Sequence, residues 1–225
     1  MSLYPDQIEE ISRITFEECI EDFKEDLLPL DHIEYERVAR VCNRIANGNK
    51  DLRQIYDKNW TITVIDLPIE NAFVLPSGNI FIYQGMLDFC QNDDQLAVII
   101  GHEMAHAILG HSAEQLSLAA VLDVVVLVPM AVLWALLPNG GIGLVCDWFI
   151  NKAKEVIFNL PFSRQMELEA DRVGLVLAAK ACFDVREAPT LWMLSELKKT
   201  GDLEAFSELD RLIEFLSTHP LDRTR

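Results

Sequence analysis

The chain has 225 residues and a formal net charge of −17, from 36 acidic and 19 basic side chains. That balance repels phosphates and excludes a nucleic-acid partner. Half of the residues are hydrophobic, enough for a sizeable core in a single domain spanning 1–225. The acid is concentrated at the two ends, and the middle is apolar. Cys19, Cys42, Cys90, Cys146 and Cys182 are scattered and form no Cys-x-x-Cys. They read as reduced core residues, neither a disulfide frame nor a thiolate metal site.

The first residues, Met1 to Asp6, match neither a secretory signal nor an Arg-rich transit peptide. Residues 6–28 carry Ile8, Ile11, Ile14, Phe16, Ile20, Phe23 and Leu27 at mostly helical spacing, and Pro29 ends this helix. A second amphipathic helix is expected from Asp31 to Ala46, with Ile33, Val38, Val41 and Ile45 inward and Asn47-Gly48 closing it. These helices make an N-terminal section, 1–58. Residues 60–67 alternate and are β-branched, predicting a strand stopped by Pro68. Asn71 to Pro76 looks extended, Ser77-Gly78-Asn79 turns, and Ile80 to Tyr83 gives another strand. The expectation is a small antiparallel sheet.

A helix follows, N-capped by Asn92 with Gln95 as its capping-box partner. It carries Gly101-His102-Glu103-Met104-Ala105-His106. On a helix His102 and His106 lie about 40° apart on one face, so their rings can grip a single metal ion. Glu103 lies near that face and can reach a metal-bound water. This is the His-Glu-x-x-His signature of zinc metalloproteases. Gly101 lets another backbone approach, here expected to be the sheet. His111 is set aside as a ligand. The longer three-histidine signature needs its third His at the position of Ser112 and a Gly at that of Leu109. On a continuing helix His111 would point roughly 140° from His106, onto the far side. Sheet and zinc helix form a section 59–115.

Residues 116–137 are almost wholly apolar and long enough to span a bilayer, although Asp123 and Pro129 count against a plain span. Pro138 to Gly143 turns the chain, and a second apolar patch runs to Ile150. One reading of 116–160 is an internal hairpin beside the zinc helix. The other, which we favour, is a hairpin or re-entrant segment contacting a membrane through 116–150, because so bare a stretch exceeds what a soluble core needs. Residues 162–181 form the next helix, opening a section 161–225. Glu167 and Asp171 share a face at i,i+4, and Glu169 points away to solvent. A zinc ion needs a third protein ligand, which Glu167 supplies, while Asp171 holds a ligand imidazole by its other nitrogen. Two more helices are expected, Arg186 to Lys199 and Asp202 to Leu216, before a polar end containing His219-Pro220.

Together, Asn71-Ala72-Phe73 through Gly78, His102-Glu103-x-x-His106, Ser163-Arg164-x-x-Glu167-x-x-Ala170-Asp171 and Thr218-His219-Pro220 with Arg225 resemble the gluzincin family of HtpX heat-shock proteases and CAAX prenyl proteases. Within it the chain is similar to the Oma type, stress-activated metalloendopeptidases of the mitochondrial inner membrane. The resemblance implies an α+β, mostly helical fold with a zincin-like core, a small antiparallel sheet and an apolar hairpin insertion. It implies one Zn(2+) on His102, His106 and Glu167, Glu103 as base and acid, and Asp171 as orienter. His219 would stabilise the oxyanion or mask the metal, supported by Arg225. An extended segment of a membrane-associated protein would pair along a strand comprising Asn71, Ala72, Gly78, Ile80 and Ile82. The resemblance leaves room for a homo-oligomer. Members of the Oma type have a targeting sequence and an N-terminal membrane segment, and the chain reads as a catalytic core. The competing readings are a zinc-binding adaptor or scaffold with a degenerate site, and a membrane module whose helices only build a bundle.

Overall fold

The computed structural model describes residues 5–114 and 164–200. In chain order these form α1 (Pro5–Asp22), α2 (Ile33–Gly48), α3 (Arg53–Tyr56), β1 (Thr61–Ile65), β2 (Ala72–Val74), β3 (Asn79–Tyr83), α4 (Gln84–Phe89), α5 (Asp93–Leu109), α6 (Arg164–Lys180) and α7 (Glu187–Thr200). The described chain is mostly helical around one small sheet. The short α3 and α4 carry too few turns to leave a periodic signal. No described helix is long and apolar enough to cross a membrane. The apolar stretch 116–160, the helix expected over 202–216, His219 and Arg225 lie outside the described residues.

The sheet is mixed, which corrects the antiparallel expectation. Its order is β1-β3-β2. β1 pairs with β3 in parallel, Thr61 opposite Asn79 and Ile65 opposite Tyr83. β2 pairs antiparallel with β3, Ala72 opposite Ile82. The chain reverses between β1 and β2 and again at the Leu75–Gly78 turn, where the Gly78 N–H donates to Leu75 O. Two reversals leave β1 and β3 running the same way. β3 is therefore interior, with a partner on each side, so no incoming strand can pair along Ile80 and Ile82. That corrects their place in a substrate strand. Gly78 serves the turn.

Both faces of β3 are covered, and its side chains divide by parity. Ile80 and Ile82 enter the main core with Val38, Val41 and Ile45 of α2, Leu96 and Ile100 of α5, Leu177 of α6 and Leu191 of α7. Phe81 and Tyr83 face the other way, where Phe16, Ile20 and Phe23 pack with them. Phe73 stacks on Phe81 with ring centroids 4.7 Å apart. The acidic α1 thus has one job that its apolar spacing implied: it closes the second face of the sheet.

The α5 helix starts as its sequence suggests. Asn92 Oδ1 accepts from the Gln95 N–H at 2.8 Å. The reciprocal half of the expected capping box shifts by one residue: the Gln95 side chain accepts from the Gln91 N–H, not from that of Asn92, and donates to Glu187 Oε2 at the start of α7. Asn92→Ala removes an N-cap worth about 1 kcal/mol. It should lower the melting temperature by about 2–4 °C, measured by calorimetry. A full-length melt indistinguishable from the parent chain would show that the cap contributes nothing.

Cys42 and Cys90 are buried core thiols, and burial pushes each up to about 12. Cys19 is half-buried and Cys182 is exposed, so the core reading fails for Cys182. It sits at φ 61 in the turn after α6. Arg44 of α2 fastens that turn by donating to Ala181 O and Cys182 O.

Candidate metal centre and active site

The α5–α6 pair is the most extensive helix contact among the described elements. Its closeness has a cause in two glycines. A Cβ built on Gly101 would lie 2.7 Å from Gly174 O, and one built on Gly174 would lie 2.7 Å from His102 N. Real Cβ atoms do not approach backbone that closely, so the helices touch through backbone. The partner of Gly101 is thus a helix, which corrects the expected sheet. On α6, Glu167, Asp171 and Gly174 follow i, i+4, i+7 and form one stripe. The contact at Gly174 therefore carries Glu167 and Asp171 against the histidines of α5.

His102, Glu103, His106 and Glu167 are all buried, at 3%, 1%, 0% and 1% exposure. Four such polar groups under one roof are costly unless their charges are balanced. His102 Nε2 and His106 Nε2 are 3.0 Å apart. Glu167 Oε2 lies 3.6 Å from His102 Nε2 and Glu167 Oε1 lies 3.3 Å from His106 Nε2. Asp171 Oδ1 accepts from His102 Nδ1 at 2.8 Å. A carboxylate only accepts, so His102 carries its proton on Nδ1 and turns the Nε2 lone pair inward. Asp171 thus touches the imidazole its spacing pointed to.

This donor set fits a metal ion. Three ligand atoms from His102, His106 and Glu167 lie within 4.8 Å of one another. Around a tetrahedral ion with bonds near 2.05 Å, ligand atoms stand ~3.3 Å apart. The two Nε2 atoms are 3.0 Å apart, and the Glu167 carboxylate sets Oε1 3.3 Å from His106 Nε2 and Oε2 3.6 Å from His102 Nε2, each close to that value. Two imidazoles and one carboxylate suit zinc and neighbouring transition metals better than the oxygen-seeking calcium or magnesium.

Around the triangle, the Trp192 ring of α7 stands edge-on to His102 with centroids 6.4 Å apart. His111 is the residue the sequence reading misplaced. It is buried, at 4% exposure, and its Nδ1 lies 3.1 Å from His106 Nδ1. The reason is Gly110, which ends α5 at φ 79, in the left-handed region. A helical projection past Gly110 no longer applies. The available signal was a Gly one residue before His111, an ordinary helix stop. Burial pushes the His111 imidazole below its usual value, against the pull of Glu169, Glu114 and Glu167. Glu169 is more than half exposed, as expected, yet its Oε2 lies 3.6 Å from His111 Nε2. Gly174 was also missed, since only the fold shows what it faces.

Asn71 and Ala72 lie at the start of β2, both buried. Asn71 O and Leu75 N bond across to β3. By the alternation of an antiparallel ladder, the backbone groups of Ala72 and Val74 point away from β3. Ser112 Oγ donates to Val74 O at 3.3 Å, tying that edge to the segment after Gly110.

Comparison with known proteins agrees with this geometry. Residues 33–225 match the model of peptidase family M48. The mitochondrial metalloendopeptidase OMA1 of Homo sapiens is 38% identical over 215 residues, 96% of this chain and 40% of the relative. OMA1 of Schizosaccharomyces pombe is 34% identical over 212 residues, 93% of this chain and 56% of the relative. The β-barrel assembly-enhancing protease of Escherichia coli is 29% identical over 158 residues, 69% of this chain and 30% of the relative. The chain thus spans less than two thirds of the length of each of these curated relatives. With two histidines and a glutamate gathered on paired helices and a family model covering most of its length, the chain belongs to peptidase family M48, among its Oma-type members.

Proposed function

We propose that the chain is the catalytic part of a zinc-dependent metalloendopeptidase that cleaves membrane-associated proteins in mitochondria, in stress-responsive quality control and dynamics. The buried His102–His106–Glu167 triangle, with Glu103 on the same helix, carries this reading. The mitochondrial assignment, and more narrowly the inner membrane, follows the Oma-type relatives. A degenerate scaffold needs no buried acid beside the triangle, so Glu103 speaks against it. We further assign the chain a single zincin-like domain, in which 116–160 is an apolar hairpin that meets the bilayer through 116–150. A second copy of the chain is compatible with this arrangement.

His102, His106 and Glu167 would hold the ion. When bound, it supplies the Lewis acid that polarises a scissile carbonyl and acidifies a water. Asp171 keeps His102 in its ligating tautomer. Glu103 takes the proton of the attacking water and returns it to the leaving nitrogen. His219, supported by Arg225, is assigned to the oxyanion through the family resemblance. An extended substrate pairs along the outer edge of β2 at Ala72, next to Asn71, since β3 is closed on both sides and Val74 O is held by Ser112. Backbone pairing reads sequence weakly, so side pockets and membrane access set selectivity.

The test is metal removal. Purified protein should carry one equivalent of zinc by mass spectrometry and cleave an unfolded membrane-protein segment. Chelation should abolish cleavage, and zinc should restore it. Cleavage that survives complete loss of metal would refute the reading.

A further inference from the structure

We propose that His111 is a positioning residue for the metal centre: it accepts the Nδ1 proton of His106 and so fixes the tautomer in which His106 Nε2 faces the ion. The inference rests on the metal-centre reading above and extends it to a residue outside the His-Glu-x-x-His signature.

A neutral imidazole donates at one nitrogen and accepts at the other. If His106 ligates through Nε2, its proton sits on Nδ1 and needs an acceptor. His111 Nδ1 stands 3.1 Å away, between two rings inclined at 70°. Accepting there puts the proton of His111 on its own Nε2. That atom points toward Glu169 Oε2, 3.6 Å off, where a carboxylate favours an N–H. The contact is longer than a hydrogen bond, and Glu169 is exposed, so it biases the second ring weakly. The order of protons is therefore set along a line from Glu169 through His111 to His106.

The two ligand histidines are oriented differently. His102 is held directly by the Asp171 carboxylate at 2.8 Å. His106 is held by a neutral ring, with its carboxylate one ring further out. Glu167 and Asp171 already bring two negative charges to the ligand sphere, which a divalent ion balances. A third carboxylate against His106, added to the nearby Glu103, would leave buried negative charge in excess. An imidazole acceptor fixes the proton without that cost.

The local fold delivers His111 to this place. Gly110 closes α5 with its N–H on His106 O. A Cβ at Gly110 would meet nothing within 4 Å, so the backbone angle alone selects glycine. Residues 111–114 then start a new helical turn, with the Glu114 N–H on Gly110 O. The change of direction folds His111 back over His106.

The experiment compares His111→Leu with His111→Gln in the full chain. Both fill the space, and only Gln offers an acceptor. Zinc affinity is measured by competition with a chromogenic chelator, and the cobalt-substituted protein gives the visible ligand-field spectrum. The expected result is a 10–100-fold loss of zinc affinity in His111→Leu, with an altered cobalt spectrum. His111→Gln should recover most of both. Circular dichroism of the metal-free proteins keeps unfolding apart from this effect. Zinc affinity and cobalt spectrum unchanged in folded His111→Leu would overturn the proposal, as would equal losses in folded Leu and Gln variants. A Leu variant that unfolds while Gln folds and binds weakly would also overturn it; one that unfolds while Gln binds as the parent chain does would uphold it. His106→Ala is the separate control: wild-type zinc binding there would overturn the metal-centre reading itself.

Discussion

Replacing Glu103 with glutamine should lower kcat by about 10²–10⁴-fold, the range supplied by a positioned general base, while zinc stays bound. That corresponds to roughly 3–5 kcal/mol of barrier. Glu103 is 1% exposed and lies between His102 and His106 in the sequence of α5. Glutamine keeps its length and shape, so the helix and the metal triangle are spared. What changes is the ability to take a proton. A ground-state binding role would instead raise KM and leave kcat alone. The measurement is steady-state cleavage of a peptide from a membrane-protein substrate, with zinc content checked on the same sample. A zinc-loaded Glu103→Gln protein that cleaves at the parent rate would remove Glu103 from the chemistry.

The parts of this site that were legible in the sequence are those that a helix determines locally. His102 and His106 share a face because of the helical repeat. Glu167 and Asp171 do so for the same reason, and Asp171 indeed contacts His102. Phe16 and Ile20 of α1, Val38, Val41 and Ile45 of α2 and the Asn92 cap are equally local and stand as expected, whereas Ile14 and Ile33 are exposed and α1 ends at Asp22, short of Pro29. What sequence spacing obscured is what depends on distant chain. Strand positions were readable, but the parallel pairing of β1 with β3 follows from two reversals and an insertion order that alternation does not encode. His111 failed for a different reason. A helical wheel does not extend past Gly110, where the backbone enters the left-handed region. Cys182 shows the same limit, as a small apolar residue placed by a turn and not by a core face.

Gly174→Val should destabilise the chain by about 3 kcal/mol and weaken zinc binding at least about tenfold, although it removes a glycine from a helix. The local term runs the other way, since glycine inside a helix costs up to about 1 kcal/mol relative to alanine. Valine recovers less than that because its branched side chain is hindered there. Against this gain stands the approach of α5. A Cβ at Gly174 meets His102 N at 2.7 Å and the Gly101 carbonyl carbon at 2.8 Å. These are backbone atoms of a buried helix, and neither can swing aside as a flexible side-chain tip would. The added branch deepens the clash. Overpacking of this kind typically costs about 1–3 kcal/mol, and here the helices must separate before any rotamer fits. Separation has a second effect that a clash elsewhere in the core would lack. Glu167 and Asp171 ride on the same stripe of α6 as Gly174, so they retreat from His102 and His106 together. Stability and zinc affinity should therefore fall in the same variant, read by denaturant unfolding of metal-free protein and by chelator competition. Gly101→Val, which meets Gly174 O from the other helix, should reproduce both losses. A Gly174→Val protein with parent stability and parent zinc affinity would mean that this backbone contact is not what brings the third ligand to the histidines.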